Sequence, residues 1–288
     1  MTPFRRIAES FELKGVGLHS GRECRLRVSP SEEGRIVLAA GGAAGNPLCG
    51  QELPIDLLGL DGSSRGSDYI FPDGSRVRTC EHILAALTGM GVWSARLEVE
   101  GGEMPALDGC SGKASEEILK YSEPCEEAGL SPFALSSPLI VGEGERFAAA
   151  FPAPEFRVTY AVRYDTPVIG TQMLDFSGGP EEFYQDIARA RTFAMASEIE
   201  ALRAQGMALG GSLDNAILVE ESGVRASGGL RWPDEFVRHK VLDLMGDMAA
   251  LGRPLHAHIV AVRAGHELHL RLAERLRRLQ GAASGRCR

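Results

Sequence analysis

The stretch DEFVRHKVLDLMGDMAAL, residues 234–251, carries the strongest helix signal in the chain. Asp234 stands as its N-cap, Gly252 falls just past its end and Pro254 follows, which brackets one continuous helix. Within it His239 and Asp243 are four residues apart and project from one face, one turn above the other. Asp247 lies a further turn along, drifting by about 40° per step of four residues. A helix that only packs would bury apolar residues on that face. His, Asp and Asp there read either as a solvated polar face or as the wall of a metal site, and spacing alone leaves both open.

Beyond this helix the alternating run HAHIVAV (256–262) predicts a strand, and Glu267–Gln280 a last helix. Before it, strands are predicted at Leu139–Val141, Phe147–Phe151, Val158–Tyr164 and Ala216–Glu220, with a helix at Glu181–Arg191 and a Gly-rich excursion, GMALGGS. The first half repeats the plan. Cys24–Val28 alternates as a strand, Ala39–Gly50 reads as a loop, and TCEHILAALTGMG (79–91) predicts a short helix with Thr79 as N-cap. Strand SARLEVE and the turn-rich GGEMPALDGCSG then lead to a helix at Lys113–Tyr121. Glu123–Pro138, rich in proline and without a periodic stripe, reads as a linker. The expected fold is therefore α+β, a plan of strands and two helices used twice, in domains 1–130 and 131–288.

Composition narrows the function. At 288 residues, 44% hydrophobic and 24% charged, the chain has the balance of a soluble globular protein. A net charge of −8 argues against non-specific binding to nucleic acid or to an anionic membrane. No run approaches the roughly 18–20 apolar residues of a membrane span, and the first residues hold no signal-peptide core. The scattered cysteines at 24, 49, 80, 110, 125 and 287 form no C-x-x-C pair, so reduced thiols in the cytoplasm are expected.

Two more fragments could carry chemistry. Glu81-His82 opens a helix, where a ligand and a neighbouring base can flank one small site. A catalytic zinc centre needs three protein ligands, an open position and a carboxylate base. His82, His239 and Asp243 would fill that set with Glu81 as base; otherwise His82 is a satisfied, partly buried histidine. His266, after a glycine at the end of a strand, suits protonation of a leaving amine near neutral pH. His256 and His258 share one strand face and read as structural. Spacing does not decide His19 or His269.

Taken together, KGVGLHSG (14–21), CEHILAALTGMGV (80–92), EMPALDG (103–109), ARARTF (188–193), GMALGGSLDNAILV (206–219), DEFVRHKVLDLMGD (234–247) and AGH (264–266) resemble the UDP-3-O-acyl-N-acetylglucosamine deacetylases of lipid A biosynthesis. The runs occur in the family's order and cover nearly the whole chain. The resemblance implies two similar domains, each a small, mostly antiparallel sheet on two helices, with a Zn2+ site in the cleft between them; Fe2+ could use the same ligands. It implies His82, His239 and Asp243 as ligands and Glu81 as general base. Thr192 would stabilise the oxyanion, Lys240 would contact substrate, and His266, oriented by Asp247, would be the cationic partner. An insert at about 193–221 would form an acyl-chain passage lined by Met195, Ile199, Met207 and Ala208. Tyr164 would meet the uracil and Arg263 the nucleotide.

The implied enzyme is a cytoplasmic monomer acting on a small UDP-linked acylated amino sugar, with no nucleic-acid partner. Two departures stand out: Cys110 replaces the family's usual Ser, and Leu57–Phe71 matches poorly. The competing readings are a zinc amidase for another N-acylated sugar and a catalytically silent binding protein. The second would predict damage at Glu81 or the ligands, and none is present. No G-x-G-x-x-G or P-loop motif appears.

Overall fold

The computed structural model describes residues 4–40, 51–63, 65–126 and 131–283. In the first half, alternation such as that of Glu23–Ser29, which buries Cys24, Leu26 and Val28, turns one apolar face of a sheet inward. Its strand order is Phe11–Val16, Glu23–Ser29, Ala95–Glu100, Ile36–Ala40, Glu52–Pro54. Neighbours run antiparallel except Ala95–Glu100 against Ile36–Ala40, which are parallel. The second half repeats this order with Leu139–Glu143, Arg146–Pro152, Leu255–Val262, Arg157–Arg163 and Thr171–Phe176. Its parallel step falls at the same place, between Leu255–Val262 and Arg157–Arg163, and Phe133–Ala134 adds to the far end of Leu255–Val262. The α+β class and the repeated plan hold.

The helices are α1 (Glu81–Gly89), α2 (Gly112–Tyr121), α3 (Pro180–Asp186), α4 (Ile199–Ala204), α5 (Glu235–Met248) and α6 (His266–Ala283). One continuous apolar core runs from Leu26 and Leu97 of the first sheet through Leu84 and Leu87 of α1 and Val241 and Leu244 of α5 to Val158 and Ile259 of the second. The pairing of α1 with α5 is the centre of the molecule, and it depends on Gly246. A Cβ there would lie 2.0 Å from the Glu81 backbone oxygen, so no other residue lets the two helices approach this closely. Because the clash is with backbone, Gly246→Ala should cost about 3 kcal/mol and lower Tm by roughly 6–12 °C. Thermal unfolding checks this; a shift under about 2 °C would contradict the close approach.

Four local expectations need correction. Thr79 is not the N-cap of α1: Cys80 is, and Thr79 sits at φ 55° with its hydroxyl donating to Glu103 Oε1 at 3.1 Å. Asp234 does cap α5 in position, but its carboxylate accepts from Arg238 Nε at 2.7 Å rather than from the helix backbone. The helix expected over 181–191 ends at Asp186, because the next backbone groups are committed elsewhere. Ala188 O accepts from Ser111 N, Ala190 O accepts from His239, and Arg191 N donates to Glu235. Finally, the stretch read as a linker is structured at both ends: Ser122–Cys125 pairs antiparallel with Phe4–Ile7, and Phe133–Ala134 is a strand. Of the loop expected over 39–50, Ala39 and Ala40 end a strand and 41–50 lie outside the described residues. Cys49 and Cys287 also lie outside them; Cys24, Cys80 and Cys110 are buried free thiols.

Candidate active site

The site forms where the start of α1 meets the middle of α5. The i, i+4 spacing on α5 brings Asp243 Oδ1 to 3.3 Å from His239 Nε2, and α1 brings His82 Nε2 to 3.5 Å from the same oxygen. All three residues are buried. His239 Nδ1 donates to Ala190 O at 3.0 Å, which places the ring proton there and leaves the Nε2 lone pair facing Asp243. Burial drives His239 down to about 3, so it is neutral at physiological pH. Burial alone would raise Asp243, but His239, Lys240 and His266 outweigh it and hold the carboxyl well below the usual carboxylate range. Asp243 Oδ2 accepts from Lys240 Nζ at 2.7 Å, while Oδ1 is buried with no hydrogen-bond partner.

Such a set suits a cation. The Nε2 atoms of His82 and His239 and a carboxylate oxygen of Asp243 offer three ligand atoms within 4.8 Å of one another. Without an ion the buried Oδ1 would be an uncompensated acceptor.

Around these ligands stand two more titratable groups. Glu81 Oε2 accepts from Ser67 N at 2.8 Å, and its Oε1 lies 4.0 Å from His266 Nε2. Burial raises the Glu81 carboxyl, only partly opposed by His266 and His82. Burial would lower His266, but the carboxylates of Asp247, Asp243 and Glu81 outweigh it and hold the imidazole at about 9, so it is a cation at neutral pH. His266 Nδ1 donates to Asp247 Oδ2 at 2.9 Å, the orienting contact expected from the sequence.

Glu81, His82, His239, Lys240, Asp243 and His266 line one cavity of about 420 Å³, with Thr192, Tyr164 and Met195. Thr192 is held by its own N–H to Gly109 O and by Ile217 N to its carbonyl, both at 2.8 Å. Next to it the buried Arg191 pairs with Glu235 at 2.8 Å and donates to Ser227 O, which anchors the 193–221 segment to the start of α5. Phe193 packs its ring edge-on to Tyr164 and Phe236.

A second cavity, of about 510 Å³, shares Leu18, Arg65, Thr192, Phe193 and Ala194 with the first. Ile199 and Ala208 line it, together with Leu202, Leu213 and Ile217. Met207 and Arg263 line neither cavity: Met207 turns after α4, its N–H on Leu202 O, and Arg263 pairs with Glu145 at 2.5 Å. Arg146, with Arg65 and Lys240, supplies basic side chains to the first cavity. His256 and His258 stand apart on the second sheet, His258 bonded to Thr159 at 2.8 Å. Cys110 lies beside Asp108 and Arg231, its thiol pushed up to about 12 chiefly by burial.

Sequence reasoning missed Ser67, which lies in the poorly matching 57–71 segment, and left His19 and His269 undecided. His19 is buried in the lining of the second cavity, its backbone N–H on Glu103 at 2.8 Å. The signal for His269 was present: it follows His266 by three residues, hence on the same helix face.

Two histidine nitrogens set against a carboxylate oxygen without a hydrogen-bond partner, with a second buried carboxylate alongside, have the make-up of a metal-dependent hydrolase site. Comparison with known proteins says which one. The family model described as LpxC, UDP-3-O-acyl N-acetylglycosamine deacetylase, matches residues 5–278, and the chain belongs to that family. A UDP-3-O-acyl-N-acetylglucosamine deacetylase of Thermosynechococcus vestitus is 38% identical over 274 residues, covering 94% of this chain and 93% of the relative. One from Myxococcus xanthus is 35% identical over 272 residues, covering 94% and 85%. Among the described residues no helix is long and apolar enough to cross a membrane.

Proposed function

We propose that this chain hydrolyses the N-acetyl group of UDP-3-O-acyl-N-acetylglucosamine, giving the free amine and acetate, as an early step of lipid A biosynthesis. The observation that carries this is the joining of two cavities at Thr192 and Phe193, one lined by the His82–His239–Asp243 triad and the other largely apolar. His82, His239 and Asp243 would hold Zn2+, or Fe2+ in the same set. Such an ion supplies a Lewis acid that polarises an amide carbonyl and acidifies water.

The chain's own groups do the rest. Glu81, its carboxyl raised by burial and held by the Ser67 N–H, takes a proton from the attacking water. Thr192 and Lys240 flank the carbonyl oxygen as preorganised donors. His266, already a cation and aimed by Asp247, gives its proton to the departing amine. Tyr164 and a basic neighbour, Arg263 or the cavity-lining Arg146, would meet the nucleotide. Ile199 and Ala208, with Met195 at the junction and Met207 behind, would form the acyl passage within 193–221. We place the work of a monomer in the cytoplasm, with the halves 1–130 and 131–288 acting as the two walls of the cleft.

Recognition of the acyl chain has a measurable size. Burial of each methylene contributes up to about 0.8 kcal/mol, so about ten offer at most roughly 8 kcal/mol before the cost of ordering the chain. A third of that, about 2.7 kcal/mol, is roughly a hundredfold in kcat/KM. UDP-N-acetylglucosamine should therefore be a poorer substrate by about that factor, and Ile199→Lys should penalise only the acylated substrate. Acetate release from the two substrates tests this. Equal kcat/KM on both would remove the lipid passage and favour an amidase for another N-acylated sugar.

A further inference from the structure

Behind His266 lies a buried chain of polar groups of which the reaction scheme uses only Asp247. Asp247 Oδ2 accepts from two imidazoles at once, His266 Nδ1 at 2.9 Å and His269 Nδ1 at 2.8 Å. Its other oxygen accepts from the Ser67 hydroxyl. The far nitrogen of His269, Nε2, is 2.9 Å from the Tyr160 hydroxyl, which is also 2.9 Å from Ala264 O, two residues before His266. Asp247 and His269 are fully buried, as is the Tyr160 ring.

Proton counting fixes the roles. Burial would raise Asp247, but the histidines bonded to it hold it below its usual value, so it is a carboxylate and can only accept. Both Nδ1 atoms must then carry protons. Burial lowers His269, whose Nδ1 faces the carboxylate, while its Nε2 lies 2.9 Å from the Tyr160 hydroxyl, which itself donates to Ala264 O. An apolar residue at 269 would pack equally well in this core and would need no partners. The imidazole instead occupies the carboxylate oxygen that aims His266.

We propose that His269 is a positioning residue for the His266 proton donor: its Nδ1–H pins Asp247 Oδ2, and Asp247 in turn fixes the direction of the His266 ring. Tyr160, its hydroxyl donating to Ala264 O, closes off the far side of the His269 ring at 2.9 Å from Nε2. The inference rests on His266 acting as the proton donor in the proposed deacetylation.

Two substitutions separate positioning from packing. An Asn side chain puts its amide N–H where His Nδ1–H lies, whereas Gln places its amide one bond further out, near Nε2. His269→Gln should lower kcat about 10- to 100-fold, the effect of a small misplacement of a catalytic group, with KM and bound metal unchanged. His269→Asn should recover most of that loss. In an Asp247→Ala background His269→Gln should add almost nothing, because the path to His266 is already cut. Near-wild-type kcat in His269→Gln, or equal losses in Gln and Asn, would overturn the proposal. Nitrogen-15 imidazole spectra of the metal-loaded wild type provide a readout independent of turnover and of any variant's folding: the His269 proton should sit on Nδ1, and a proton on Nε2 alone would overturn it. A wild type that releases no acetate would sink the deacetylase reading while leaving this spectral test intact.

Discussion

Asp243→Ala should strip the protein of tightly held divalent metal and abolish turnover. Its Oδ1 is the point on which the two histidine Nε2 atoms converge, 3.3 and 3.5 Å away, and it is the only anionic member of the set. Without it two imidazoles remain, one ligand short of the three a catalytic centre requires. A lost Lewis acid is worth several kcal/mol, and about 4 kcal/mol is already a thousandfold in rate. Substitution also releases Lys240 from its 2.7 Å ion pair, so the added ammonium charge further disfavours a cation. His82→Ala should behave alike. Metal analysis of the purified variants checks both, and full occupancy in the two would contradict the assignment.

The second large effect separates proton transfer from metal binding. Glu81→Gln keeps the side-chain volume and an oxygen that accepts from Ser67 N, so the loop carrying Ser67 stays in place. What disappears is the proton acceptor. The expected loss is about 10²–10⁴-fold in kcat, the usual worth of a general base, with metal content and KM unchanged. The contrast with Asp243→Ala is the informative part: both variants are inactive, and only one lacks metal. A Glu81→Gln enzyme with wild-type kcat would move the base to another carboxylate of the cavity lining, such as Glu198 or Glu267.

What the sequence made legible was whatever depends on local spacing. The i, i+4 relation of His239 and Asp243 survives because helix geometry alone sets it, and Gly252 takes the left-handed conformation, φ 70°, that a helix stop asks for. The alternation of Leu255–Val262 likewise names its buried face directly. Where reading failed, a distant partner had claimed the group. Thr79 is good N-cap chemistry, yet its hydroxyl is taken by Glu103, twenty-four residues on. Residues 187–191 have helical composition, yet Ser111, His239 and Glu235 hold their backbone in another shape. His269 could be placed on the face of His266, but that Asp247 and Tyr160 meet it there depends on how α6, α5 and the second sheet pack. The union of Glu81 with Gly246 is of the same kind: each residue is ordinary in its own helix, and only their contact makes the site.

The most direct test of the account is acetate release from UDP-3-O-acyl-N-acetylglucosamine by one preparation in three states: as purified, stripped by a chelator, and reloaded with about one equivalent of zinc. The account predicts activity in the first, a loss of about a thousandfold or more in the second, and recovery in the third that saturates near one ion per chain. Stripped protein that releases acetate at the original rate would contradict it.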